Sequence, residues 1–356
     1  MEIFKAMARD GHEQVIFCSN KAAGLKAIIG IHDTSLGPAL GGCRMWPYAT
    51  EEEAVVDVLR LSKGMTYKSA AAGCNYGGGK MVVWGDPKKD KSEALFRALG
   101  RFVEGLDGRF YTGTDVGTAS SDFIWSSYET DKVSALPEEF GGSGDSSITT
   151  AFGVWKGMKA CVKEVFGTES LKGLRIAVQG VGKVGFHLVG HLVDEGAAVT
   201  VSDINRDYVD RITSKYQVKV VEPDAIYDVD CDIFSPCALG AVINDDTIRR
   251  LKCKIIAGAA NNQLKEQRHG HDLQSRGILY APDYVINAGG MIQVVDELQG
   301  FNKERAFKKT AAIQDLLTRI FAISKRDGIP TMQAANVMVE ERIESISKVS
   351  RVFLRG

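Results

Sequence analysis

The stretch that most restricts how this chain can fold runs from Leu174 to Asp203. Leu174-Arg175-Ile176-Ala177-Val178-Gln179 is a short, largely apolar run that leads directly into Gly180-Val181-Gly182-Lys183-Val184-Gly185. An apolar helical segment follows over Phe186–Leu192, and Ala198-Val199-Thr200-Val201-Ser202 reads as the next strand, closed by Asp203. A GxGxxG pattern alone is weak. Set between a strand and a helix, with an acid at the tip of the following strand, it predicts a dinucleotide-binding unit. Gly180, Gly182 and Gly185 permit a tight turn and close backbone approach to a pyrophosphate. The helix N-terminus at Lys183 and Val184 favours that anion electrostatically. Asp203 is placed to accept hydrogen bonds from the adenosine ribose and to repel a 2′-phosphate, so NAD is expected over NADP.

Further strands follow in the rhythm of a parallel α/β sheet. Cys231–Phe234 ends at Ser235-Pro236-Cys237-Ala238, Lys254–Gly258 at Ala259-Ala260-Asn261-Asn262, and Ile278–Tyr280 at Ala281-Pro282-Asp283. Ligands of such sheets bind beyond the carboxyl ends of the strands. That places Cys237, Ala238, Ala260 and Asn262 near a cofactor; the two asparagines serve equally well as turn caps. Val285–Met291 forms another glycine-bearing loop, Glu304–Lys325 reads as one long helix, and Thr331 to about Lys348 as a last one.

A chain of 356 residues that is 44% hydrophobic has room for two cores. The segment Gly141-Gly142-Ser143-Gly144-Asp145-Ser146-Ser147 looks like a linker, which predicts domains at 1–148 and 149–329, with the helix at about 330–356 returning to the first. Glu13–Ser19 and Leu25–His32 read as a strand pair joined by a turn. Gly37–Arg44 is too glycine-rich for a helix and reads as a loop. Thr50-Glu51-Glu52-Glu53 is a capping box that opens a helix with apolar Val55, Val58 and Leu59 at helical spacing. Ser92–Leu106 is an amphipathic helix, and Arg109–Thr114 is a strand that delivers Asp115, a position that suits an active-site acid but, taken alone, suits a helix cap better.

Between these elements lies Gly64-Met65-Thr66-Tyr67-Lys68-Ser69-Ala70-Ala71-Ala72-Gly73-Cys74-Asn75-Tyr76-Gly77-Gly78-Gly79-Lys80. Two lysines here sit among small and apolar residues, and three glycines demand close backbone approach or unusual dihedrals. One lysine holding an anion while the other moves a proton accounts for the pattern; two surface lysines beside a flexible turn account for it as well. Met81–Trp84 reads as a strand leaving Lys80.

Other chemistries find less support. The net charge is −1, from 44 basic and 45 acidic residues, which argues against nucleic acid or an anionic membrane as partner. Seven scattered cysteines without a CxxC pair fit a reducing cytoplasm. The N-terminus lacks a basic segment followed by an apolar run, and no stretch approaches the roughly 18 apolar residues of a membrane span. The expected location is therefore cytoplasmic. His187 and His191 have metal-ligand spacing but no third ligand nearby, so no metal is expected. Gly79-Lys80 lacks the first glycine and following hydroxyl of a phosphate loop, those positions being Cys74 and Met81. Cys237 reads as packing rather than as a nucleophile, because no histidine accompanies it.

GGCRMW, GMTYKSAAAGCNYGGGK, GTDVG, GVGKVG, AANNQL and APDYVINAGG occur in this order. Together they resemble the amino-acid dehydrogenase superfamily, in its leucine/phenylalanine/valine branch, over nearly the whole chain from about Gly37. The resemblance implies an α/β protein of two domains, an N-terminal substrate domain and a C-terminal Rossmann domain separated by a cleft. It also implies NAD-dependent reversible oxidative deamination of an L-amino acid, and a homo-oligomer. By matching position, Lys68 pairs with the substrate carboxylate, helped by backbone around Gly41-Gly42. Lys80 is the catalytic base, since a partly desolvated lysine near other cations gives up its proton more readily. Asp115 binds the substrate amino group, Asn262 helps place nicotinamide or substrate, and Thr150 contacts the nicotinamide amide. The side-chain pocket implied comprises Leu40, Gly113, Met291 and Val294, apolar and without a cation for a second carboxylate. Relatives that prefer leucine tend to carry alanine at the position of Gly113, so the missing methyl predicts room for a ring and L-phenylalanine as substrate. Leucine or valine is the alternative, and a catalytically silent NAD-binding regulator is the competing class.

Overall fold

The computed structural model describes residues 2–349, and the chain divides into two compact units. The first comprises residues up to Gly144, Val294–Asn302, and the chain from Val339; the second comprises Asp145–Gln293 and Lys303–Met338. Val294–Asn302 joins the first unit because Glu297 accepts hydrogen bonds from the Leu136 amide (3.2 Å) and from the Ser143 amide (3.0 Å) and hydroxyl (2.5 Å). Such a polar tether between distant segments has no hydrophobic period, and the expected division at 148 and 329 did not include it.

The first unit is built on strands β1 (Gln14–Asn20), β2 (Leu25–Asp33), β3 (Ala39–Leu40), β4 (Cys43–Trp46), β5 (Gly77–Trp84) and β6 (Phe110–Tyr111). Their order is β1-β2-β5-β3-β6, with β4 also on β5. The first two pairings are antiparallel and the rest parallel. Helices α1 (Ile3–Asp10), α2 (Glu51–Ala71), α3 (Glu93–Glu104) and α4 (Ser120–Ser127) complete this part. Because side chains alternate across a strand, β5 serves two cores. Met81 and Val83 pack with Phe96, Leu99, Phe110 and Phe123, while Val82 packs with Val55, Val58 and Leu59 of α2. The N-cap half of the expected capping box forms, the Thr50 hydroxyl accepting from the Glu53 amide at 3.2 Å, while the Glu53 carboxylate accepts from the Ala49 amide at 3.0 Å, one residue before the cap.

Two local expectations are corrected here. The glycine-rich Gly37–Arg44 segment is not a plain loop but contributes β3 and the start of β4, and β5 begins at Gly77, three residues before Lys80. The glycines are needed because the backbones are nearly in contact. A Cβ on Gly78 would lie 2.0 Å from Thr66 Oγ1, one on Gly79 2.7 Å from the Phe110 ring, and one on Gly41 1.7 Å from the Gly79 carbonyl oxygen. The triple glycine thus lets β5 pass between α2 and its neighbour strands, the close backbone approach expected of it.

The second unit holds β7 (Arg175–Gln179), β8 (Ala198–Ser202), β9 (Lys219–Val220), β10 (Ile233–Pro236), β11 (Ile255–Ile256) and β12 (Leu279–Tyr280). All pairings are parallel, in the order β12-β11-β10-β7-β8-β9. Counted from β7, that is the 3-2-1-4-5-6 order of the Rossmann fold, whose ligand crevice lies where the order reverses, between β7 and β10. The helices that follow the first unit's four are α5 (Ser147–Phe166), α6 (Lys183–Asp194), α7 (Arg206–Lys215), α8 (Arg268–Ser275), α9 (Asp283–Ile286), α10 (Gly289–Glu297), α11 (Lys303–Ala311), α12 (Ile313–Asp327) and α13 (Thr331–Val349). The single long helix expected over Glu304–Lys325 is interrupted at Ala312, giving α11 and α12. The later part of α13 packs on the end of α2, with the Tyr67 hydroxyl donating to Glu340 at 2.8 Å and Arg342 donating to the Ala70 carbonyl at 2.7 Å. No helix among the described residues is long and apolar enough to cross a membrane.

Candidate active site

In the first unit the pleat decides which residues face one another. Gly78, Lys80 and Val82 share the β5 face that α2 covers. Across the ladder Leu40 is registered with Gly78, and Arg44 with Val82, so both join that face. The last turn of α2, which carries half-buried Lys68, lies on the start of β5, where the Ser69 hydroxyl donates to the Gly77 carbonyl at 3.4 Å. Lys68, Lys80 and Leu40 therefore belong to one side of one sheet, although they are far apart in the chain.

Lys80 is buried, 4% exposed, and its Nζ lies 3.0 Å from Oδ2 of Asp115. Asp115 follows β6 on a segment tied to β4 by the Cys43–Thr114 bridge. Its amide donates to the Thr118 hydroxyl at 2.9 Å, and that hydroxyl also bonds the Cys43 carbonyl. Burial pushes the Asp115 carboxyl up, but the charges of Lys80 and Arg44 outweigh this and hold it below the usual carboxylate range. Arg44 joins the same carboxylate. Its Nε donates to the same Asp115 Oδ2 at 3.0 Å, and its other nitrogen reaches Asp57 of α2 at 2.8 Å. The sequence signal was an arginine between buried Cys43 and Met45, since arginines seldom lie in apolar strands without a partner.

Two site residues behave differently from expectation. The Gly41 amide donates to the Tyr111 carbonyl at 3.1 Å, so it is committed to the sheet rather than to a substrate carboxylate. Gly113 does lack a methyl, but a Cβ built there would meet Ser134 Oγ at 2.7 Å and the Ser134 carbonyl oxygen at 3.0 Å. Ser134 fills that space, so the expected room for a ring is not created by Gly113. Of the other two pocket residues, Met291 is buried, 8% exposed, and Val294 is half-buried, both on α10.

In the second unit the fingerprint forms the β7–α6 turn. Gly180 has φ +92°, and a Cβ there would meet Ala238 at 2.7 Å; one on Gly185 would lie 2.1 Å from the Gly180 carbonyl oxygen. These two glycines close the turn against the β10 loop. Gly182, the residue preceding α6, faces open space, with nothing nearer to a built Cβ than a Tyr208 ring atom at 3.8 Å. The first turn of α6, with Lys183 and Val184, has neither a side-chain cap nor an acidic residue. This cradle fits a dinucleotide diphosphate. Asp203 accepts from the Val181 amide (2.8 Å, Oδ2) and the Asn205 amide (2.9 Å, Oδ1), which fixes the carboxylate while each oxygen keeps acceptor capacity for a ribose hydroxyl.

Cys237 lies in the β10 loop with its thiol 3.5 Å from the Ser235 hydroxyl, and burial pushes that thiol up, away from a reactive thiolate. Ala260 is buried at the end of β11, and its amide donates to the Pro236 carbonyl at 2.9 Å. Asn262 is exposed in the left-handed region at φ +51°. Asn261 accepts at 2.7 Å from Asn287, a buried residue whose Oδ1 has no partner within the protein. Asn287 was not singled out from the sequence; an asparagine inside an apolar run before two glycines was the available signal. Thr150 bonds the Ser146 carbonyl at 2.9 Å and lies where a Cβ on Gly290 would fall. His191 is stacked on Trp155 at 5.2 Å, and among the described residues no cluster of three His, Cys, Asp or Glu side chains is arranged to hold a metal.

Family models match both units. The model described as the Glu/Leu/Phe/Val dehydrogenase dimerisation domain covers residues 12–132, and the Glutamate/Leucine/Phenylalanine/Valine dehydrogenase model covers 203–350. The chain belongs to the Glu/Leu/Phe/Val dehydrogenase family. It is 58% identical to a leucine dehydrogenase of Thermoactinomyces intermedius over 100% of this chain and 97% of that protein. A phenylalanine dehydrogenase of the same organism is 53% identical over 99% and 97% of the two chains. The crystal structure of L-tryptophan dehydrogenase from Nostoc punctiforme superposes with a TM-score of 0.85 at 46% identity, covering 97% of this chain and 99% of that one. This Glu/Leu/Phe/Val dehydrogenase is an amino-acid dehydrogenase; its cofactor is NAD, and the residues of its second unit fit that group.

Proposed function

We propose that this dehydrogenase acts on L-leucine and related branched aliphatic L-amino acids, converting amino acid, NAD⁺ and water to 2-oxo acid, ammonium, NADH and a proton. The observation that carries the reading is Ser134, whose hydroxyl would lie 2.7 Å from a Gly113 methyl, which removes the structural argument for an aromatic substrate. Greater identity to a leucine dehydrogenase than to a phenylalanine dehydrogenase of the same organism supports it.

In this reading Lys68, on the α2 face, pairs with the substrate carboxylate. Lys80 and Arg44 both take Oδ2 of Asp115, which leaves Oδ1 as the acceptor for the substrate amino group. NAD, when bound, supplies the hydride acceptor for the substrate α-carbon. Lys80 then takes a proton from the water that attacks the iminium carbon. Leu40, on the sheet face that carries Lys80, contributes apolar lining for the substrate side chain. Asp203, Gly180, Gly182 and Gly185 hold the adenosine and diphosphate, while Thr150, Ala260 and Asn262 serve the nicotinamide end. The intact Lys68, Lys80 and Asp115 favour an enzyme over a silent NAD-binding regulator. The dimerisation-domain match over 12–132 supports a homo-oligomer.

NADH formation measured with leucine, valine, isoleucine and phenylalanine tests the proposal. The highest kcat/KM is expected for a branched aliphatic substrate. A higher value for phenylalanine refutes the specificity, and no turnover with any of them refutes the enzyme.

A further inference from the structure

We infer that Arg44 is a positioning residue for the reaction: it holds the Asp115 carboxylate in one orientation and shares its charge with Lys80, so that one carboxylate oxygen is kept for the substrate. The inference rests on the roles proposed above for Lys80 and Asp115.

The geometry is specific. Lys80 Nζ and Arg44 Nε both lie 3.0 Å from Oδ2 of Asp115. Two cations from adjacent strands on one carboxylate oxygen restrain where that oxygen sits and leave the other oxygen with its acceptor capacity. The guanidinium is itself fixed from the far side. Its terminal nitrogen lies 2.8 Å from Asp57 Oδ2, the Tyr48 hydroxyl donates to the same oxygen at 2.7 Å, and Arg60 holds the other Asp57 oxygen at 2.9 Å. Only a planar fork can bridge Asp115 and Asp57 at once, because a lysine ammonium is a single point. The result is a row of alternating charge, Lys80–Asp115–Arg44–Asp57–Arg60, running from a buried strand to the surface of α2.

Chemistry gives the row its purpose. With Arg44 on the same oxygen, the charge is divided between two cations, and Asp115 is still stabilised as an anion able to receive an ammonium group. The groups facing Asp115 are Lys80 from β5 and Arg44 from β4, with the Cys43 thiol and the Tyr48 phenol, both pushed upward chiefly by burial, beside them.

The test uses the full chain and steady-state kinetics with L-leucine and NAD across pH. Arg44→Met removes the charge and the fork. Asp115 then takes up a proton more readily, and the acid-side limb of kcat/KM is expected to move to higher pH by about one unit or more. Arg44→Lys keeps the charge but cannot bridge both acids; its limb is expected to stay in place while kcat falls by about tenfold to a hundredfold. A purely structural role would lower the melting temperature of either variant and leave the limb unmoved, which overturns the inference. Should Arg44→Met fail to fold, Arg44→Lys decides alone, and a wild-type kcat there refutes the positioning role. Asp115→Asn separates the two levels. An active Asp115→Asn removes the proposed role of Asp115 itself, whereas an inactive one beside unaltered Arg44 variants removes only the inference.

Discussion

Gly113→Ala is the most direct examination of how this site chooses its substrate. The added methyl would sit 2.7 Å from the Ser134 hydroxyl oxygen, 3.0 Å from its carbonyl oxygen and 3.3 Å from its carbonyl carbon. The hydroxyl can rotate away at the expense of its 3.1 Å hydrogen bond to the Thr112 carbonyl, a loss of about 1 kcal/mol. The backbone cannot rotate. The Ser134 amide donates to the Thr112 carbonyl at 2.8 Å, so shifting it strains the strand that leads to Asp115. Overpacking of this kind costs about 1–3 kcal/mol. Thermal unfolding is therefore expected to shift downward in Gly113→Ala, and Ser134→Ala in the same background to recover only the share due to the hydroxyl. The ratio of leucine to phenylalanine kcat/KM is expected to stay unchanged, because the methyl enters Ser134's space. Unaltered stability together with a selective fall in phenylalanine turnover would refute the reasoning, since the methyl would then have entered the substrate's space instead.

Three further perturbations separate the proposed roles. Lys80→Ala should lose about 10²–10⁴ in kcat, whereas Lys68→Ala should chiefly raise the KM for the amino acid; a normal KM in the latter would show that the carboxylate is held elsewhere. Asp203→Ala removes both a ribose acceptor and the brace on the Val181 amide, so fluorescence titration should show weaker NADH binding, and unchanged affinity would displace Asp203 from the cofactor site.

Much of the second unit was legible because its signals are local. The strand, turn, helix and acid of the fingerprint are consecutive, and the same glycines that marked it close the turn in the fold, Gly180 at φ +92°. The first unit was less legible. Its central strand carries three glycines, which read as a break until the contacts with Thr66, Phe110 and Gly41 are seen. Arg44 escaped a role because its two partners, Asp57 and Asp115, lie in separate elements. The room expected beside Gly113 is absent for a related reason: a missing methyl states how much volume is absent but not which neighbour takes it.

The amino-acid sequence by itself determined the α/β class and the dinucleotide unit, which follow from periodicity and from motifs that act over a few residues, and its linked motifs carried the resemblance that named the family and pointed to Lys68, Lys80 and Asp115. Only the tertiary structure decided that Lys80 and Arg44 share one oxygen of Asp115, that the Gly41 amide belongs to the sheet, and that Ser134 occupies the space beside Gly113. Each of these depends on strand register, which brings together residues dozens of positions apart and has no counterpart in local sequence pattern.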